Sequence, residues 1–276
     1  MTDDAPHHGL RWLPFLQPAR PQKKSIRKLA DGVARKAEPQ ILLIAAGEES
    51  CPVVVQRHRL ARRYALRVHA KRREAILSMP LRGNLADARD FVERHADWLA
   101  ERLRRLPDLV TFADGACLPL RGETHRIVHR PGVRGTVWVE ADEDGARQLC
   151  VAGDAAHVSR RVTDYLKREA RRELSAAARR YAGMLDVEIR RIGVRDQSSR
   201  WGSCNTDGVL SFSWRLILAP PEVLDYLAAH EVAHLVEMNH SPRFWQLVDR
   251  ICPEMERAKA WLDRHGNDLH RYGAGK

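Results

Sequence analysis

The segment His230-Glu231-Val232-Ala233-His234 combines residue types and a spacing that could bind a metal ion and activate water. On a helix, positions i and i+4 project from the same face, so both imidazoles can reach one cation. Glu231 then lies beside that cation as a candidate general base for its bound water. The pattern predicts a hydrolytic site with one zinc ion, Zn2+, as the cofactor.

A catalytic zinc ion needs a third protein ligand and an open position for water, and two residues compete for that role. His240 follows six residues after His234, beyond a turn indicated by Asn239. Glu254 is the alternative, a carboxylate twenty residues after His234, but Pro253 indicates a helix start that leaves it exposed. We expect His240 to complete the set.

Residues outside the motif could contact the substrate or stabilise the oxyanion of the transition state. Arg215, Asn239 and Tyr272 are candidates for the oxyanion contact, although a salt bridge is the more common fate of an arginine near a buried motif. The aromatic residues of this region are expected first to be core residues: Trp201, Phe212, Trp214, Phe244 and Trp245. The candidates for substrate binding are Arg200, Trp201, Phe212, Arg215 and Asn239.

The elements that must position these residues follow from the spacing of apolar side chains. Pro220-Pro221 and an apolar stripe of helical period predict one helix that carries the motif. A helix over 157–184 should pack behind it. Strands at 189–194 and 209–214 should lie beside it, and the alternation in 209–214 predicts an exposed edge that could pair with an extended peptide.

The earlier half of the chain reads as strands and one helix. Short strands at 53–55, 65–69 and 75–79 are predicted to form a small antiparallel sheet, on which a helix over 85–106 packs. A second group of strands follows between residues 117 and 151. These elements alternate with turns and carry no evident chemistry.

Several separate blocks of the sequence resemble one known family, the YgjP-like metallopeptidases, which are related to the SprT-like zinc proteases. The resemblance covers about Cys51 to Tyr272, and it implies a zincin core acting on a peptide or protein substrate. In that core His230, His234 and His240 would bind zinc while Glu231 activates water. The blocks are 57–80, 91–106, 118–122, 200–204, 208–218, 230–234 and 239–245.

Together the pattern and the resemblance predict an α+β protein. Residues 156–272 should form a zincin-like catalytic region, in which the active-site helix packs on a second helix and a small sheet. Residues 51–155 should form a β-rich region with one long helix. Residues 1–50 should be a basic, flexible extension, apart from a short apolar run at 41–46.

The net charge of +11 is concentrated near the amino terminus. Between Arg20 and Arg73, fifteen Lys or Arg residues face four acidic ones. Such a segment could bind nucleic acid through its phosphates. The alternative is a solvated tail, because Tyr64 is the only aromatic residue among these charges, too few for a base-stacking surface.

Composition restricts the remaining possibilities. No window approaches about eighteen apolar residues, and Met1 to Arg20 lacks the pattern of a signal peptide, so we expect a cytoplasmic location without a transmembrane segment. The five cysteines are scattered and have no Cys-x-x-Cys spacing, which argues against both a disulfide framework and a cysteine zinc site. We expect them to be reduced and mostly buried.

Three functions fit these observations. The first is a zinc peptidase in which Glu231 takes a proton from water and passes it to the leaving amine. The second is a zinc-dependent hydrolase of a non-peptide amide or ester, which a closed pocket would favour. The third is a basic nucleic-acid-binding protein with a structural metal, which a fourth protein ligand would favour.

Overall fold

A computed structural model of the protein describes residues 40–46, 49–69, 73–106, 108–197 and 200–273. Contacts divide the chain into two compact units, one within residues 23–109 and the other including residues 110–276. This grouping differs from the boundary expected between residues 155 and 156, which stays a prediction. Residues 1–39 of the extension expected over residues 1–50 lie outside the described residues. The basic character of that part is an observation from the sequence alone.

The first unit contains a mixed four-stranded sheet in the order β1-β2-β4-β3. Strand β4 lies between β2 and β3. It pairs antiparallel with β3, with which it forms a hairpin, and parallel with β2. The expectation of a purely antiparallel sheet was therefore wrong. The strands are β1 (Gln40–Ala46), β2 (Glu49–His58), β3 (Ala65–His69) and β4 (Glu74–Pro80).

Two helices, α1 (Leu85–Glu93) and α2 (Ala96–Arg104), replace the single helix expected over 85–106. The break falls at His95, whose ring nitrogen Nδ1 lies 2.7 Å from the carbonyl oxygen of Phe91. That side chain competes for a carbonyl that a continuous helix would use. Apolar spacing continues across the break, because both helices bury a face against the same core.

The second unit begins with a four-stranded sheet in the order β5-β6-β8-β7, in which β6 and β8 are parallel. The strands are β5 (Cys117–Leu120), β6 (Glu123–Arg130), β7 (Val137–Ala141) and β8 (Arg147–Ala152). A 28-residue helix follows, α3 (Val158–Leu185), and it buries one apolar face along its length. The long helix expected over 157–184 is confirmed.

A three-stranded sheet in the order β10-β11-β9 precedes the helices that carry the histidines. Its strands are β9 (Arg191–Arg195), β10 (Gly202–Cys204) and β11 (Val209–Ser213). The alternating segment β11 lies in the middle, so the expectation that it forms an exposed edge was wrong. The short strand β10 pairs with it through Ser203 and Ser211 and forms one edge of the sheet.

Three helices complete the second unit: α4 (Pro221–Ala233), α5 (Pro242–Ile251) and α6 (Met255–His265). Helix α4 packs against α3, α5, α6 and β10, and almost all of its residues from Val223 onward are buried. Helices and small sheets give the expected α+β class. Among the described residues, no helix has the length and apolar character that crossing a bilayer requires.

Candidate metal centre

Three histidines of the second unit converge on one point. The nitrogen atoms of His230, His234 and His240 that could bind a metal lie within 4.8 Å of one another. The Nε2 atoms of His230 and His240 are 3.1 Å apart, close to the roughly 3.3 Å that separates two nitrogen ligands of a tetrahedral zinc ion. The three side chains form a possible metal site.

The polypeptide brings His240 back to the other two through a tight turn. Helix α4 ends at Ala233, six residues before the stop expected near Asn239, and the amides of Val236 and Glu237 both bond to the carbonyl of Ala233. Ser241 then caps α5 through its hydroxyl, which accepts a hydrogen bond from the amide of Phe244 at 3.3 Å. His240 therefore lies between two fixed helix ends.

Backbone contacts select which ring nitrogen of His234 faces the cluster. Its Nδ1 lies 3.1 Å from the carbonyl oxygen of Glu237. When Nδ1 carries the proton and donates it to this carbonyl, Nε2 is unprotonated and its lone pair can bind a metal. The sequence suggested Glu237 as an acceptor for an imidazole N–H, and the acceptor is its main-chain oxygen. The turn after α4 thus both ends the helix and orients the ring of His234.

Burial keeps the three imidazoles neutral. It lowers the pKa of His230 far below its ordinary value, and the neighbouring His234 lowers it further. Burial, and then the proximity of His240, lowers the pKa of His234 to about 4. Burial also lowers the pKa of His240. Neutral imidazoles are the form that binds a cation, so this site is suited to a metal and disfavours protons.

Aromatic rings from α5 hold the imidazoles in place. Phe244 is fully buried and stacks on His234, with ring centroids 4.5 Å apart. Trp245 stacks on His240 at 5.5 Å, and the ammonium group of Lys259 lies 5.0 Å from the centre of its indole ring. The sequence placed both aromatics in the core. Their contact with the imidazoles was missed, and only their position shortly after His240 pointed to it.

Glu231 lies on the same turn of α4 and is buried against β10. Gly202, which has no side chain, faces the carboxylate of Glu231. A Cβ atom at position 202 would come within 2.7 Å of the Glu231 side-chain carbons Cγ and Cδ. Burial raises the pKa of Glu231 to about 8, although the charge of the half-buried Arg200 acts to lower it. A carboxyl group with this pKa can hold or release a proton near neutral pH.

Arg215 is engaged in a buried network. Its Nε lies 3.0 Å from a carboxylate oxygen of Asp196, and its Nη1 donates to the carbonyl oxygens of Leu269 and Tyr272 at 2.9 and 2.6 Å. Its side chain is 1% exposed and its guanidinium lies over the ring of Trp214. These contacts match the salt-bridge alternative considered in the sequence, and an oxyanion role for Arg215 or Tyr272 stays a prediction.

The remaining candidates divide between core and surface. Trp201 and Phe212 are buried, and Trp201 stacks on His270 at 4.9 Å between ring centroids. Asn239 is exposed on the turn before His240. Glu254, the rival third ligand, lies outside the histidine cluster, is 62% exposed and pairs with Arg257 at 3.4 Å. Substrate contacts by Arg200, Trp201, Phe212, Arg215 and Asn239 stay predictions.

Helix α4 is also anchored at its first half. Asp225 accepts hydrogen bonds from the hydroxyl of Tyr181 and from the guanidinium of Arg180, both on α3. No sequence motif marks this anchor, and it was not predicted. The contact fixes α4 five residues before the first histidine of the cluster.

Comparison with known proteins agrees with this geometry. A family model described as "YgjP-like, metallopeptidase domain" matches residues 62–265. The chain belongs to the YgjP-like metallopeptidase family. The matched range of this YgjP-like protein includes all three histidines and Glu231, and the resemblance seen in the sequence is confirmed.

Among solved structures, the YgjP-like chain matches the crystal structure of the metallopeptidase zymogen of Pyrococcus abyssi abylysin. The two sequences are 23% identical, and the match covers 36% of this chain and 97% of that chain with a TM-score of 0.31. No curated protein matched the sequence significantly.

Proposed function

We propose that this protein is a zinc-dependent peptidase with a zincin-like core, in which Glu231 is the general base. The observation that carries the proposal is the convergence of three neutral imidazoles beside a buried carboxylate, in a chain of a metallopeptidase family. In the described residues, no fourth protein ligand joins the cluster. An open position is typical of a catalytic metal and disfavours the structural-metal alternative.

The residues present fit zinc. Three imidazoles are a common ligand set for catalytic zinc, and the nitrogen separation between His230 and His240 suits its tetrahedral geometry. When bound, zinc would supply a Lewis acid that acidifies water and polarises the scissile carbonyl. The stacking of Phe244 and Trp245 on the imidazoles would keep the ligands rigid.

Glu231 would carry the proton through the reaction. Its carboxylate accepts a proton from the attacking water as the carbon–oxygen bond forms, and the carboxylic acid then donates that proton to the amide nitrogen as the carbon–nitrogen bond breaks. Burial supports both steps, because a pKa near neutrality lets one group act first as base and then as acid. Gly202 leaves the space that this side chain needs.

Strand β10 is the proposed binding edge for an extended substrate. It forms an edge of its sheet and packs against α4, which carries Glu231. Backbone hydrogen bonds to such an edge would hold a peptide without requiring a particular sequence. This arrangement favours a peptide over a small amide or ester, and it moves the proposed edge from β11 to Gly202–Cys204.

A cleavage assay with matched variants tests the proposal. The zinc-loaded wild-type protein, Glu231→Gln and the control Glu254→Gln are each incubated with peptides from a denatured proteome, and new termini are counted by mass spectrometry. We expect cleavage by the wild type and Glu254→Gln, and a loss of at least about a thousandfold for Glu231→Gln with zinc retained. Hydrolysis confined to small amides or esters would show that the peptidase assignment is wrong.

A further inference from the structure

A groove of about 480 Å³ opens in the second unit, away from the histidine cluster in sequence. One wall is the carboxyl-terminal half of α3, and the other is the segment that leads into β9. The residues that line it are Arg171, Ser175, Arg179, Ala182, Gly183, Val187, Ile189, Arg190, Arg191 and Ile192. Within the described part of the chain, no acidic or aromatic side chain lines this groove.

Four arginines give the groove its charge: Arg171, Arg179, Arg190 and Arg191. All four are exposed, and as far as the described residues extend, none of them pairs with a carboxylate. Three other arginines of the same helix do pair with carboxylates. Arg160 pairs with Asp164, Arg172 with Glu169, and Arg180 with a carboxylate of α4. Four arginines without a carboxylate partner in the described residues therefore line one groove.

The helical wall presents its polar groups in a row. Arg171, Ser175, Arg179 and Gly183 follow one another at intervals of four residues, so they share one face of α3. The two arginines of this row are separated by about 12 Å along the helix axis. Arg190 and Arg191 face them from the opposite wall, which gives a channel with cationic groups on both sides.

We infer that this groove binds the phosphodiester backbone of nucleic acid. A guanidinium group donates two parallel hydrogen bonds to a phosphate, and several of them along a channel release the counterions of a polyanion. Because no aromatic ring is available for base stacking, the groove would recognise the backbone without preference for sequence. The site lies outside the basic segment between Arg20 and Arg73, and it does not depend on the proposed peptidase activity.

An acidic peptide fits the groove less well. A peptide would bind most strongly by adding a strand to β9, but the groove contacts only Arg191 and Ile192 of that strand. Few main-chain hydrogen bonds would then be available. The charge is carried by side chains from α3 and the segment before β9, an arrangement that suits regularly spaced phosphates.

Gly183 allows a sharp test. A Cβ atom at this position meets no heavy atom within 4 Å, so a side chain can be added in the groove without a clash. The full-length variants Gly183→Glu and Gly183→Gln differ only by one charge and should both retain the helix. We expect Gly183→Glu to weaken binding of a duplex DNA of about 20 base pairs by about five- to tenfold at 0.1 M salt relative to Gly183→Gln. Equal affinities would overturn the inference.

A second comparison measures how many phosphates the groove contacts. Changing the four groove arginines to glutamine should reduce the slope of log Kobs against log salt by about 3 to 4 for duplex DNA. A control with the same change in net charge replaces four exposed arginines elsewhere in the unit, Arg126, Arg134, Arg250 and Arg264. If the slope falls by the same amount in both variants, binding depends only on the net charge of the protein and the inference is wrong.

Two further probes identify the ligand's chemistry. A single-stranded DNA of the same length should also lose affinity in the groove variant, since the backbone is the recognised group. A polyglutamate of matched charge should bind weakly and equally to both variants. If only polyglutamate responds to the groove arginines, the site binds an acidic polypeptide and the nucleic-acid inference is wrong.

Discussion

Gly202 lies so close to the side chain of Glu231 that a Cβ atom at position 202 would force that side chain to move. A Cβ atom built at position 202 would lie 2.7 Å from both Cγ and Cδ of Glu231, below the 3.0 Å that real Cβ contacts essentially never breach. The strand that forms one edge of the sheet therefore also determines where the proposed base lies. The absence of a side chain at Gly202 therefore brings the proposed substrate edge against the proposed base.

We predict that Gly202→Ala loses peptidase activity while retaining zinc. The new methyl group must displace Glu231 by about an ångström, and a misplacement of that size can reduce the rate about 100-fold. The matched control is Gly193→Ala on β9, where a Cβ atom would meet its nearest neighbour at 3.7 Å. Measurements of kcat/KM and zinc content compare the two. Wild-type activity in Gly202→Ala would contradict this reading.

Zinc should stabilise the protein only while the three histidines are present. At a free zinc concentration about a thousand times the Kd, binding to the folded state adds about 4 kcal/mol to the free energy of unfolding. We expect a chelator to remove this increment from the wild type and from Glu254→Gln. In His240→Ala, zinc should add little to the free energy of unfolding even before the chelator is present. Urea unfolding with and without zinc measures both, and a normal zinc response in His240→Ala would exclude it as a ligand.

The stability of the metal-free protein should depend on pH because Glu231 is buried. Burial raises its folded-state pKa to about 8 from the ordinary 4.5, so folding favours the protonated carboxyl group. Stability is lost as pH rises from 4.5 through 8, because the unfolded chain ionises first. Metal-free Glu231→Gln should match the wild type near pH 4.5 and exceed it by roughly 2–4 kcal/mol at pH 8.

Urea unfolding of the two metal-free proteins across this pH range provides the measurement. The buried histidines titrate in both proteins, since burial lowers their pKa values in the same way, and their contribution cancels in the difference. A difference that stays constant with pH would mean that Glu231 is ionised freely in the folded protein.

Asp225 should contribute to stability through its two donors on α3. Asp225→Asn weakens the hydrogen bonds from Tyr181 and Arg180, and we expect a loss of about 1–3 kcal/mol in the free energy of unfolding. A double-mutant cycle with Tyr181→Phe should give a coupling energy of at least about 0.5 kcal/mol. Additive effects of the two changes would show that the hydroxyl and the carboxylate act independently.

The sequence predicted elements with strong periodicity most closely. Helix α3 begins and ends within one residue of the expected 157–184, because its apolar face repeats over many turns. The break at His95 was not predictable from spacing, since the apolar face continues through it. Strand β10 has three residues and no alternation, so nothing in the sequence marked Gly202–Cys204 as an edge.

The candidate site was predicted where spacing is sufficient. His230 and His234 share one face of the helix wherever that helix ends, because they are four residues apart. The position of His240 depends instead on the turn between α4 and α5. That turn was anticipated, but the helix ends earlier than expected, at Ala233. The contacts of Arg215 could not be derived, because they join it to carbonyls more than fifty residues away.

Anomalous diffraction at the zinc edge, from crystals of the zinc-loaded protein, tests whether the three histidines bind a catalytic zinc ion. We predict one peak within about 2.0–2.1 Å of a ring nitrogen of each of His230, His234 and His240, with no fourth protein ligand. A peak bound by Glu254 in place of His240, a fourth protein ligand, or no peak at this position would show that the three histidines do not form an open zinc site.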